Sequence, residues 1–298
     1  MKSRDRSVGR ATAQIIASAL SFGSISVLTV LTTGAGVPLL TVMAWRYVLG
    51  ALLLATSARS ATTQSVSRRQ IAQLLLIGGF GQALITYLSL YSLRYIPVGP
   101  LAFLFYTYPA WVAAIAALRK TERLTAVRGT ALVLALVGVT VMVGAPVEKL
   151  NPIGVGLALA SALLYSIYLP ALEHVQEGVP AMFATFLLIL GAAITFVIAA
   201  GLTQELFIPR DTSVWVNIIL LAVVSTVIAF SALIKGLSVL GPVRTAIIAT
   251  VEPFFTAILG MLVLGNQLGA ATIIGGVFIA AAILIIEWSS TRAGATNS

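Results

Sequence analysis

Long apolar runs, separated by short polar or proline-bearing intervals, fill this chain from end to end. A bilayer-crossing helix needs about 20 mostly apolar residues. Ten runs meet that length: 10–32, 38–58, 71–93, 98–118, 125–145, 152–172, 180–201, 213–235, 242–264 and 268–288. The intervals carry helix-ending chemistry. Gly34-Ala35-Gly36-Val37-Pro38, Ile96-Pro97, Ala145-Pro146, Asn151-Pro152, Val179-Pro180 and Gly241-Pro242 all fall between runs. There a proline occupies the first turn of a helix or lies just past its end. The longest connections, 59–70 and 202–212, are too small to fold alone, so function resides among the helices. The pattern predicts an all-α integral membrane protein with ten transmembrane helices.

Composition agrees. The chain has 298 residues, 59% hydrophobic and 9% charged, with a mean hydropathy of +1.04; soluble domains carry about 25% charged residues. The lack of cysteine excludes a disulfide framework and a thiolate metal site, and the single histidine, His174, cannot build a zinc site alone. No GxxxxGK[ST] loop, GxGxxG turn or GxSxG elbow is present. Neither an enzyme nor a self-contained ATP-driven pump is expected, and no cofactor or metal. The segment Met1 to Arg10 before an apolar run has the outline of a secretory leader. The run Ala11 to Thr32 exceeds the ~7–15-residue core of such a leader, so it is read as the first span.

The net charge of +9 reads as topology rather than as a nucleic-acid surface, because the basic residues flank apolar runs. With the N-terminus in the cytoplasm, 14 Lys and Arg fall on the inner side and 3 (Arg94, Lys149 and Arg210) on the outer side; Arg46, inside the second run, completes the 18. Both termini are therefore expected in the cytoplasm of a multi-pass protein of the cell inner, or plasma, membrane. The loop after the sixth run fits least well. It carries Glu173, His174 and Glu177 and no Lys or Arg.

Ten runs divide into two sets of five. Tyr108-Pro109 lies in the middle of the fourth run and Glu252-Pro253 in the middle of the ninth, an offset of 144 that also places Leu124 on Leu268. Five is odd, so the second set enters from the opposite face. This is an inverted repeat of the kind that holds a binding site near the midplane of secondary transporters. Residues 1–146 form the first five-helix repeat and residues 147–298 the second.

The motifs in these positions resemble those of the drug/metabolite transporter superfamily, in its EamA-type ten-helix form. Ala19-Leu20-Ser21-Phe22-Gly23-Ser24 is similar to the family's leucine-tryptophan-glycine-serine pattern, with Phe22 in place of tryptophan. Ala44-Trp45-Arg46-Tyr47 has its arginine followed by an aromatic. Tyr91-Ser92-Leu93-Arg94-Tyr95, Tyr106-Thr107-Tyr108-Pro109 and Thr121-Glu122-Arg123-Leu124 look like its aromatic–proline and glycine-glutamate-arginine-leucine signature, with Thr121 for glycine. Leu240-Gly241-Pro242 and Glu252-Pro253 match the second repeat, whose glycine-glutamate slot here reads Gly265-Asn266-Gln267-Leu268. The resemblance implies a central cavity and alternating access for a small metabolite: an amino acid, an aromatic or a drug-like compound, usually exported. A facilitative uniporter without proton coupling, or a non-transporting membrane scaffold or receptor, is the alternative. The partners implied are a small-molecule substrate, the lipid bilayer and, as a coupling ion, a proton.

Glu252 leads the candidate residues, because a charge at mid-bilayer costs roughly 2.5–3.5 kcal/mol on insertion scales and usually faces a protein interior or a water path. It reads as an amine contact, a proton carrier or a structural carboxyl. Pro109 and Pro253 are the expected hinges. Tyr108 and Trp111, three apart on one helix, join Tyr106, Phe105, Phe103, Tyr87 and Tyr91 in the most aromatic region; such rings pack, or hold a cation against their faces. Arg46 lies deep in its run and reads either as a carboxylate ligand or as a partner of backbone carbonyls. Tyr165 and Tyr168 mirror Phe22 and Ile25 across the repeat, and Ser24 and Gln82 add polar groups in mid-helix.

Overall fold

A peptide segment in hydrocarbon has no water to satisfy its backbone, so it closes its hydrogen bonds within itself as a helix. The computed structural model describes residues 2–61, 66–120, 125–143, 150–265 and 269–295, and every regular element in them is helical. The motif at 121–124, Pro146 and the segment Asn266-Gln267-Leu268 lie outside these residues. In order the chain forms α1 (Lys2–Phe22), α2 (Ser24–Gly34), α3 (Leu39–Ala61), α4 (Arg68–Leu76), a π-helical segment (Ile77–Gln82), α5 (Ala83–Tyr91) and a 3-10 turn (Ser92–Arg94). Next come α6 (Val98–Phe105), α7 (Tyr108–Leu118), α8 (Ala126–Val143), α9 (Pro152–Val175), α10 (Ala181–Leu202) and α11 (Thr212–Ala222). A second π-helical segment (Val223–Ile228), α12 (Ala229–Ala249), α13 (Glu252–Leu264) and α14 (Ala270–Ala295) complete it.

Among the described residues seven helical stretches are long and apolar enough to cross a membrane, with shorter apolar helices at Ala126–Val141, Glu252–Val263 and Ala270–Ile285. One of the seven, Thr212–Ala249, covers the eighth run and the start of the ninth. It is not straight. Gly241 adopts φ 73° and ψ 170°, a conformation that favours glycine, and the chain turns there into Pro242.

Helices of the two halves interleave. The most extensive packing is α3 on α10, α8 on α14 and α1 on α12, and α5 packs on α9; each pair takes one member from each half. The closest crossing involves the first π-helical segment. A Cβ on Gly78 would stand 2.1 Å from the Leu188 carbonyl oxygen, and one on Gly191 would stand 2.2 Å from that of Leu75. Backbone thus meets backbone where side chains are missing, as small residues permit in membrane helix pairs.

The helices are interrupted in two recurring ways. At Tyr106-Thr107 and again at Thr250-Val251 one helix ends and another begins with a proline at its second position, Pro109 or Pro253. Each break lies a little before its proline, because proline is accommodated in a first turn but not within a helix. The carbonyls left over are taken locally. Thr107 Oγ1 donates to Leu104 O at 2.7 Å, and Thr250 Oγ1 donates to Ile247 O at 2.7 Å.

The two π-helical segments are also counterparts, of six residues each and 146 positions apart. After each segment the amide of Ala83 or Ala229 bonds the carbonyl five residues back and the next amide the carbonyl four back, so the carbonyl of Gly79 or Ser225 is passed over. A third break, at Gly23 between α1 and α2, has no partner in α9, which runs unbroken through Pro170.

Candidate functional site

All three breaks border one cavity, whose empty volume, counted with its open side, is about 1000 Å³. Phe22 comes from the first break, Tyr106 and Tyr108 from the second, and Ala249, Glu252 and Pro253 from the third. The first π-helical segment adds Gln82, α5 adds Thr86 and Ser89, α9 adds Tyr165 and α12 adds Phe230.

Glu252 is the first residue of α13. The N–H groups of a helix's first turn have no intrahelical partner, and together with the macrodipole they favour a carboxylate there by about 0.3–1 kcal/mol. The carboxyl has no ion-pair or well-formed hydrogen-bond partner among the described residues. Its polar neighbour is the Tyr106 hydroxyl, which is buried and itself closes no hydrogen bond of good geometry. The backbone here is tied across the bundle. Thr256 Oγ1 donates to Glu252 O at 3.1 Å and to Gly23 O at 3.0 Å, so the first and third breaks are held together.

An aromatic wall stands beside the acid. Tyr108 meets Tyr165 edge-on at 4.7 Å between centroids and Tyr106 at 5.7 Å; Phe105 lies 5.4 Å from Tyr108 and 5.5 Å from Tyr165. Phe22 and Phe230 form a further edge-on pair at 5.0 Å. On the polar side, Gln82 Nε2 donates to Thr86 Oγ1 at 2.9 Å, and the Tyr47 hydroxyl shares that oxygen at 3.2 Å. Gln82 Oε1, buried, has no partner.

Arg46 also borders the cavity but is only 1% exposed. Its Nε donates to Thr226 Oγ1 at 2.7 Å and its Nη2 to Ser225 O at 2.9 Å, while Nη1 lies 3.9 Å from Met43 Sδ. Ser225 O is the carbonyl that Ala229 N–H passes over. The guanidinium therefore takes the acceptor that the π-helical turn releases, and none of its partners is a carboxylate. Of the two sequence readings of Arg46, this geometry supports the partner of backbone carbonyls.

The other residues named from the sequence divide. Glu252, Tyr108, Arg46, Gln82, Tyr165 and Pro253 come together around the cavity. Tyr168 lies behind Tyr165, stacked on it at 5.7 Å. Ser24 bridges helices, with Oγ donating to Ser21 O at 2.7 Å and 2.6 Å from Ser225 Oγ. Tyr87 belongs to a ladder with Tyr91 and Tyr95, at 5.2 and 6.0 Å, over which Arg94 lies. Pro109 is buried at the start of α7, and Trp111, 47% exposed, does not border the cavity. Sequence reading passed over Thr86 and Phe230. Thr86 was within reach, being one helical turn beyond Gln82 on the same face; Phe230 carries no motif.

Sequence comparison with curated proteins gives no match. A solved crystal structure, described only as that of a protein, shares this fold with a TM-score of 0.78 at 18% sequence identity, over 95% of this chain and 98% of that chain. The EamA-like transporter family model matches residues 10–144 and again 152–288, and the chain, interleaved halves and central cavity included, belongs to the EamA-like transporter family.

Proposed function

We propose that this protein is a secondary transporter that moves a small polar or aromatic metabolite outward across the inner, or plasma, membrane by alternating access through the cavity between its broken helices. The observation that carries the reading is the matched pair of breaks. One presents Tyr108 and the other Glu252 to a single cavity. Helix discontinuities that border a midplane site are the arrangement by which such proteins bind a substrate and expose it to either face. In this reading the chain crosses the membrane ten times, with the turn at Gly241 separating the eighth and ninth crossings and both termini in the cytoplasm. Residues 1–146 and 147–298 are then inverted repeats, and Glu252, Tyr108, Tyr165 and Gln82 contact substrate while Pro109 and Pro253 mark the hinges. No covalent chemistry and no nucleic acid enters.

Reconstitution tests this. Purified protein in proteoliposomes is expected to move a radiolabelled metabolite or dye from a broad panel, faster when a pH gradient is imposed. No flux for any member of the panel would sink the transport reading. A second reading, the facilitative uniporter, is favoured by the position of Glu252 at a helix N-terminus, which stabilises a standing carboxylate. Flux indifferent to the pH gradient is the result that selects it.

A further inference from the structure

Apart from hydroxyls, which donate or accept, the polar side-chain atoms left open in this cavity are acceptors. The Glu252 carboxyl has the Tyr106 hydroxyl as its polar neighbour, and Gln82 Oε1 is an acceptor without a partner on a side chain 8% exposed. Tyr106 contributes a hydroxyl free to orient either way. Among the described residues the one cation lining the site, Arg46, has each of its three nitrogens engaged by Thr226, Ser225 and Met43. A substrate carboxylate would have to displace contacts that hold a π-helical turn in place. A ligand that brings hydrogen-bond donors and positive charge meets the Glu252 carboxyl and the unfilled Gln82 Oε1. Beside them stand Tyr108, Tyr165 and Phe105, within 5.5 Å of one another by centroid. Such faces attract a cation and accept a flat apolar body.

The geometry points to an organic amine, protonated and bearing N–H groups on an aromatic or similarly sized apolar body, as the ligand class of this cavity, with its head at Glu252 and Tyr106 and a further N–H on Gln82 Oε1. This rests on the transport reading only for what happens after binding. A zwitterion fits less well, since the one guanidinium its carboxylate could meet among the described lining residues is already engaged. A quaternary ammonium keeps the charge and the aromatic contact but offers no N–H to Gln82.

A matched ligand series tests it on the full chain in lipid nanodiscs by titration calorimetry: 2-phenylethylamine, its N,N,N-trimethyl derivative, phenylalanine and 3-phenylpropionate. The amine is expected to bind about tenfold more tightly than the trimethyl compound, the loss expected for one charge-assisted hydrogen bond. Phenylalanine is expected to be weaker still, and phenylpropionate to give no binding. Gln82→Leu is expected to narrow the gap between amine and trimethyl compound, and Gln82→Glu, which keeps an acceptor, to preserve it; an unchanged melting temperature certifies each fold. Phenylalanine or phenylpropionate binding as tightly as the amine would overturn the assignment, as would equal affinity for the two cations or no binding by any probe. Proteoliposome flux separates the two readings. Amine binding without movement sinks transport and leaves the ligand class standing, whereas phenylalanine flux without amine binding does the reverse.

Discussion

The helix breaks at Tyr106–Tyr108 and Thr250–Glu252 have the same backbone and opposite chemistry. Each ends a helix with a threonine hydroxyl on a carbonyl three residues back, and each restarts with a proline in second place. At the restart, one break puts a phenol and the other a carboxyl. Tyr108 is 2% exposed and ringed by other aromatics; Glu252 is partly exposed and faces empty space. Duplication thus accounts for the backbone device, and the side chains divide the labour. Under the proposed reading the first break chiefly holds the bundle together, and the second offers the charged ligand contact.

That division is open to attack from the stability side. Tyr108→Ala removes the central ring of the wall and is expected to cost about 3–5 kcal/mol, the usual range for emptying a buried aromatic site, read as a fall in melting temperature in detergent. A loss under 1 kcal/mol would show that the first break bears no packing load. Arg46→Met comes next. It keeps the length but strands Ser225 O and leaves Thr226 Oγ1 only its bond to Leu221 O at 2.8 Å, and leaving a buried polar group unpaired costs about 1–3 kcal/mol. The second π-helical segment should loosen with it, seen as faster amide exchange at 223–229. Unchanged exchange there would mean the turn holds its shape without the arginine. Gly78→Ala loads the other π-helical segment, where the new Cβ would stand 2.1 Å from a carbonyl. Overpacking of this kind costs about 1–3 kcal/mol, and near-neutral behaviour would show that α10 yields freely.

The second break should respond the other way round. Glu252→Gln removes a charge whose burial in the membrane is costly, so the melting temperature is expected to hold or rise while flux falls at least about tenfold, equivalent to 1.4 kcal/mol of lost binding. Stability falling in step with flux would make the carboxyl a structural group like its counterpart.

How much of this could be read from the chain depends on what each feature is made of. The runs, and the neighbourhood of both breaks, follow from apolar length and from Pro109 and Pro253, since a proline favours a helix's first turn over its interior. The π-helical segments do not announce themselves. Ile77-Gly78-Gly79-Phe80-Gly81-Gln82 and Val223-Val224-Ser225-Thr226-Val227-Ile228 share no residue type but isoleucine, and a register of five rather than four is decided by what packs against it. That is why Arg46 could be placed at depth but not given its partner. Trp111 shows the converse. Its spacing from Tyr108 was right for a shared face, yet at 47% exposed it points away from the cavity, because i and i+3 differ by about 60° around a helix and the cavity edge passes between them.

The smallest change sharpens the comparison most. The Tyr108 hydroxyl donates to Ala246 O at 3.5 Å, the limit of a hydrogen bond, and Tyr108→Phe deletes that contact while keeping every ring distance. If the first break acts through packing, the variant should lose about 0.5 kcal/mol or less, with flux unchanged within about twofold. Glu252→Gln, at the equivalent position of the second break, should lower flux at least about tenfold, equivalent to 1.4 kcal/mol. A large effect of Tyr108→Phe on flux at unchanged stability would break the division, because the phenol would then be a second polar contact and the two breaks would be alike in chemistry as well as in backbone.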